Sequence, residues 1–272
     1  MQRIQWNHKR KAFELQGKLI SGLLPSLTAL LYPTYSWMEA RDIQRRQMQH
    51  RPPPPPPPTT TQPSQQRSSS TCRGKEQGSK LDRQLHQCVL FAKDYNLSPG
   101  VFVNSKARRA AQRHMPSRAA QRLERMTAKL SLPSLNFFRM CHLKQLRPMY
   151  SQVTVGSVIA RVATRVDVKC IDRNGDVVLI ENKVGYSGFH HTGTAPMRAP
   201  FTAKSNCTYN QHQVQLAMTA LLHRCQFPSQ RISECFVWKY DDLGVSVFPL
   251  EAWAKEGAGA VHEMLRSTKF LQ

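Results

Sequence analysis

Three ionisable residues carry the chemistry this sequence offers: Asp167, Glu181 and Lys183. Glu181 and Lys183 close the run VVLIENKVG, residues 177–185, whose first residues suit a buried strand. Alternation along a strand sets both side chains on one face. A carboxylate and an ammonium at the end of an apolar strand lose hydration, a cost that a solvent-exposed ion pair avoids and a working site accepts. On the tripeptide alone, the ion pair is the simpler reading. The strand before it bears on the choice.

The stretch SQVTVGSVIARVATRVDVKCI alternates and is rich in valine, which predicts a strand, and DRNGD predicts a turn. The hairpin register then decides whether a site forms. A two-residue Asn174-Gly175 loop pairs Asp167 with Asn182 and throws Glu181 onto the opposite face. A three-residue loop, Arg173-Asn174-Gly175 with Gly175 left-handed, pairs Asp172 with Asp176 and sets Asp167 directly opposite Glu181. Cross-strand Cβ atoms lie about 5 Å apart, so the two carboxylates repel and a divalent cation relieves them. Hard oxygen ligands suit Mg²⁺ or Mn²⁺, which keep waters and accept phosphate oxygens. Lys183, one pleat further along, places a positive charge where a water attacking a phosphodiester needs it. No Walker-type loop, G-x-G-x-x-G fingerprint or serine elbow suggests another chemistry.

The elements around this trio are strongly basic. Among 272 residues, 39 Lys and Arg stand against 17 Asp and Glu, a formal charge of +22, with pI near 10.2. That excess implies a polyanionic partner, and nucleic acid is the usual one. The seven cysteines form no C-x-x-C pair and are odd in number, which argues against a disulfide framework, a zinc ribbon or a cysteine-held cluster and for a reducing compartment.

The organisation along the chain reads in three parts. Residues 1–50 form an N-terminal extension: a basic start, then LISGLLPSLTALLY, too short to span a bilayer and interrupted by Pro25. This fits a mitochondrial transit segment better than a secretory signal, with the nucleus as the other compartment; the alternative is an ordinary helix packing on the domain. Residues 51–80, with seven consecutive prolines and a Ser/Thr/Gln run, read as a disordered linker. The domain of residues 81–272 opens with basic helices, where Pro116 separates two segments and Ser117 is a candidate cap. Arg108, Arg109, Arg118 and Arg122 in this part are candidate phosphate contacts.

Two later segments complete the picture. In NQHQVQLAMTALL, residues 210–222, Val214, Ala217, Met218, Leu221 and Leu222 make an apolar helical stripe. Gln211 and Gln215 border it, whereas Gln213 is expected to face solvent. Residues 184–209 read as a long loop contacting DNA, with Arg198 and Lys204 as phosphate ligands, Phe189 and Phe201 as stacking groups, and a surface pair His190-His191.

Asp167, then IENK at 180–183, then the glutamine helix resemble the PD-(D/E)XK nuclease superfamily. The order is most similar to the branch of lambda exonuclease-type and RecB-type nucleases and mitochondrial genome maintenance exonucleases. The resemblance covers roughly residues 120–250. It implies an α/β restriction-endonuclease-like core, a central mixed sheet flanked by helices, and a metal-dependent DNA nuclease, an exonuclease by this branch. It further implies that Asp167 and Glu181 hold Mg²⁺ or Mn²⁺, that Lys183 positions the water, and that Gln215 touches the site. The family's upstream helical glutamate has its best match in Glu124, and the tyrosine that usually accompanies the glutamine is replaced by Leu216. If no acid completes the site, the alternative is a catalytically inactive nucleic-acid-binding protein on the same fold.

Overall fold

The computed structural model describes residues 4–7, 9–32, 70–185, 195–241 and 244–267. The fold is mixed α/β, with a central sheet running antiparallel and parallel and helices packed on both faces.

The expected hairpin is present. Strand β5 (Val162–Ile171) turns into β6 (Val177–Val184) through Arg173-Asn174-Gly175, with Gly175 at φ +84°. The Asp172 amide donates to the Asp176 carbonyl at 3.0 Å, and the Asp172 carboxylate accepts from the Asn174 and Asp176 amides. This is the three-residue register: the ladder runs from Ile171↔Val177 to Val168↔Ile180. The positive φ is what admits glycine here and fixes the register.

Strand β4 (Arg147–Ser157) pairs antiparallel with β5 along one edge. The other edge of β5 is shared. Its C-terminal half pairs with β6, and its Val162 and Ala163 pair in parallel with β3 (Lys18–Gly22). The sheet therefore forks between β5 and β6 just past Val168 and Ile180, and Asp167 and Glu181 stand at the fork. Beyond β6 follow β7 (Ile232–Asp241), parallel to it, and β8 (Gly244–Pro249), antiparallel to β7.

The described N-terminal residues, 4–7 and 9–32, pack with the sheet. β1 (Ile4–Asn7), β2 (Ala12–Leu15) and β3 form a meander joined to the sheet, the β2–β3 turn using Gln16 and Gly17, both at positive φ as a two-residue hairpin requires. Helix α1 (Leu23–Leu31) then buries Leu23, Leu27 and Leu31 in the main core. The apolar stretch thus folds as a helix packed on the domain. The apolar spacing at every fourth residue is the reason. The proline tract lies outside the described residues. Helix α2 (Ser70–Asp94) begins before Leu81.

The remaining helices are α3 (Gly100–Val103), α4 (Ser105–Gln112), α5 (Ser117–Ala128), α6 (Leu132–Leu143), α7 (Thr208–Gln226) and α8 (Ala252–Ser267). Ser117 is the first helical residue of α5, following Pro116 as the cap, and the Asn104 side chain caps α4 instead. One core lies between the sheet and α1, α7 and α8, and the other between the sheet and α2, α3, α5 and α6. Val214, Ala217, Met218 and Leu222 on α7 are buried as the stripe predicts.

Candidate active site

The β5–β6 ladder ends at Val168↔Ile180, and the next residues on the two strands are Asp167 and Glu181, whose carboxylates interact at the fork. Glu181 is almost wholly buried, at 4% exposure. Its Oε1 accepts from Lys183 Nζ at 2.6 Å and from Gln215 Nε2 of α7 at 2.8 Å. Asp167 has a donor on each oxygen: the Asn182 backbone N–H reaches Oδ2 at 2.8 Å and the Gln152 side-chain amide of β4 reaches Oδ1 at 3.3 Å. Asp167, Glu181, Lys183 and Gln215, expected together, are brought together.

The electrostatics are those of crowded acids. Burial raises the Asp167 carboxyl well above its ordinary range, the Glu181 charge raises it further, and Lys183 and the Asn182 N–H act in the opposite sense. Asp82 belongs to the same field. Burial first and Glu181 second push its carboxyl up, with Lys183 and Arg165 pulling it down, and Asp82 in turn raises Asp167. His212 of α7 is held well below its ordinary value by burial and by Lys183, so it adds a neutral imidazole beside the ammonium.

Glu124 is not the third acid. It lies on α5 with a largely exposed side chain, paired to Arg108 at 3.3 Å and accepting from Gln112. The further acid whose charge acts on Asp167 and Glu181 is Asp82 on α2. That helix docks along β4 through its buried Leu81 and Leu85, His86 bonding Ser151 at 2.8 Å and Lys93 lying over the Tyr150 ring. Asp82, Asp94 and Glu124 are the acids upstream of Asp167 in the domain, and the buried spacing Leu81, Leu85, Cys88 is the signal that sets Asp82 on a packed helix.

Other expectations are redistributed. Gln213 is fully buried and bonds the Pro249 carbonyl and the Glu251 amide, tying α7 to the end of β8. Gln211 bonds Asn206 instead of entering the site. Leu216 is a core residue. Phe201 is buried against Trp253, so it cannot stack on a base, and Lys204 lies over the Trp253 ring at 5.0 Å. Phe189, His190 and His191 lie outside the described residues. The Arg198 side chain is exposed, and its backbone amide bonds Leu31 of α1.

The basic residues split in the same way. Arg108 is tied to Glu124, whereas Arg109, Arg118 and Arg122 are exposed. Arg109 lines an open groove of about 600 Å³ with Lys106, Gln112 and Arg113. Arg122, over the Phe91 ring, lines a second cleft of about 370 Å³ with Arg125 and Lys129, along α2. No described helix is long and apolar enough to cross a membrane.

No known family profile matches the chain, and none of the curated proteins does. Among solved structures it is similar to the one titled "Crystal structure of SSO0001", at 14% identity over 73% of this chain and 91% of that chain. The TM-score is 0.26, too low to carry an argument.

Proposed function

We propose that this protein is a metal-dependent deoxyribonuclease of the PD-(D/E)XK type, with a restriction-endonuclease-like core, and an exonuclease within that class. The observation that carries this reading is the cluster itself: Asp167 and Glu181 at the end of the β5–β6 ladder, Lys183 and Gln215 on one oxygen of Glu181, and Asp82 in the same field. A structural ion pair needs one acid and one base. Three acids around one ammonium repel one another, and the raised carboxyls of Asp167 and Asp82 are what a site that serves a ligand displays.

The donors fit a hard divalent cation. Among the described residues no three His, Cys, Asp or Glu side chains converge as a ready cage. An ion such as Mg²⁺, which keeps several of its own waters, needs only one or two carboxylates, and Asp167 and Glu181 supply two. When bound, such an ion supplies Lewis-acid polarisation of the phosphodiester and activation of water.

The protein's own residues do the rest. Gln215, anchored on α7, fixes the Glu181 carboxylate from one side, and the Asn182 amide fixes Asp167 from the strand itself. Lys183 is short-tethered to Glu181, so its ammonium stands where it can orient a water and offset charge developing on the phosphate. The exposed Arg109, Arg118 and Arg122 offer phosphate contacts that attract a nucleic acid backbone without reading its sequence.

The test is full-length protein with Mg²⁺ or Mn²⁺ and end-labelled linear DNA. Chelator-sensitive release of label from the ends supports the reading. Binding without cleavage across pH and both metals would replace it with a catalytically silent nucleic-acid-binding protein.

A further inference from the structure

Gln152 breaks the rule of its strand. It stands inside β4 with φ +56°, a left-handed conformation that costs a non-glycine residue energy and that strand neighbours do not share. The β4–β5 pairing runs Ser151↔Val168 and Val153↔Val166, so the position facing Gln152 is Asp167, the one rung absent between them. From there the Gln152 amide nitrogen reaches Oδ1 of Asp167 at 3.3 Å.

The surroundings show what the kink accomplishes. A regular strand residue at this position would keep its ladder bonds and follow the alternation, with its side chain set by the pleat. The left-handed residue interrupts the ladder at this rung, and its side-chain amide bonds the facing carboxylate instead. Asp167 Oδ2 is already held by the Asn182 N–H from the β6 side. With Gln152 on Oδ1, the carboxylate is held from both neighbouring strands, and its rotation is limited. His86 bonds Ser151, the residue before Gln152, at 2.8 Å, so α2, which carries Asp82, is fastened to the same kink.

We infer that Gln152 is a positioning residue: its strained backbone is kept so that its amide orients the Asp167 carboxylate. The functional consequence rests on the nuclease reading above; the coupling of Gln152 to Asp167 does not. Groups that hold a ligating carboxylate commonly change metal affinity or activity by about 10- to 100-fold when removed.

Glycine separates this role from a structural one, because it accepts φ > 0 without strain. In full-length protein, Gln152→Gly should melt at or above the parent temperature, and Gln152→Ala, which keeps the strain without the amide, at or below it. Both should bind Mn²⁺ about 10-fold or more weakly by calorimetry, and in the DNA assay kcat should fall with KM for DNA unchanged. A glycine variant that binds Mn²⁺ and cuts DNA like the parent overturns the inference. If the parent neither binds Mn²⁺ nor cuts, the nuclease reading falls, and a metal-free double-mutant cycle decides for Gln152. Melting-temperature changes of Gln152→Ala and Asp167→Ala that are non-additive uphold the positioning contact, and additive changes overturn it.

Discussion

Lys183 Nζ lies 2.6 Å from Oε1 of Glu181, although only one residue separates them on the same strand, and Gln215 Nε2 donates to that same oxygen from α7. A surface ion pair would leave both partners in water. Here Glu181 is 4% exposed and the Lys183 side chain 12%, so the pair is built into the fork of the sheet.

The two members should fail differently. Glu181→Gln removes a ligand charge and should weaken both divalent-ion binding and turnover. Lys183→Ala should leave ion binding nearly intact while turnover falls by about 10²-fold or more. Lys183→Arg should not restore it, since a planar guanidinium does not replace a compact ammonium at this range. Calorimetric Mn²⁺ titration beside single-turnover cleavage reads both quantities; parental cleavage by all three variants would return the pair to a structural role.

Asp167 makes stability depend on pH in a defined direction. Burial and the Glu181 charge raise its folded carboxyl well above the ordinary carboxylate range, so the protonated form favours the fold. That stabilisation is fully present below the unfolded pKa and is lost as pH rises through the folded one. At neutral pH and without metal, Asp167→Asn should therefore raise the melting temperature by a few degrees, and the difference should vanish below pH about 4. Mg²⁺ should stabilise the parent and not the variant. Identical pH profiles for the two proteins would contradict the crowded-acid account.

Asp82 and Glu124 can be told apart directly. Asp82→Asn should weaken Mn²⁺ binding and cleavage, whereas Glu124→Gln should change neither and cost no more than about 1 kcal/mol, as for an exposed pair with Arg108. Cleavage lost in the Glu124 variant, with Asp82→Asn active, would reverse the assignment.

Salt dependence addresses the arginines. Each phosphate contact contributes roughly 0.9 to the log–log slope of affinity against salt. Arg118→Ala with Arg122→Ala should flatten that slope, while Arg108→Ala, already paired with Glu124, should do so less. An unchanged slope in the double variant would make those arginines a solvated face.

The N-terminal residues should prove structural. Leu27 is fully buried in the core beside α7 and β5, so Leu27→Ala should destabilise by about 2–5 kcal/mol. Deleting residues 1–32 should lower the melting temperature sharply. A deletion variant as stable as the parent would show that the meander and α1 are dispensable.

What the sequence determined by itself is local. Turn chemistry at Asn174-Gly175, alternation in the two strands and the apolar spacing of α7 are set by residues within one turn or one pleat of each other. They set the register that leads to Asp167 and Glu181 and the helix whose Gln215 bonds Glu181. Docking decided the rest. Which acid joins the pair depends on α2 lying along β4, and Glu124, equally helical, was captured by Arg108 on its neighbour α4. Burial of Gln213 depends on where β8 ends, and the core position of α1 on β3 pairing at the vacant half of the β5 edge. The left-handed Gln152 has no local cause at all: nothing in SQVTV requires it, and only the facing carboxylate across the strand gives it a reason. Short-range stereochemistry is written residue by residue, whereas the choice among competing long-range contacts is made by the packing of the whole chain.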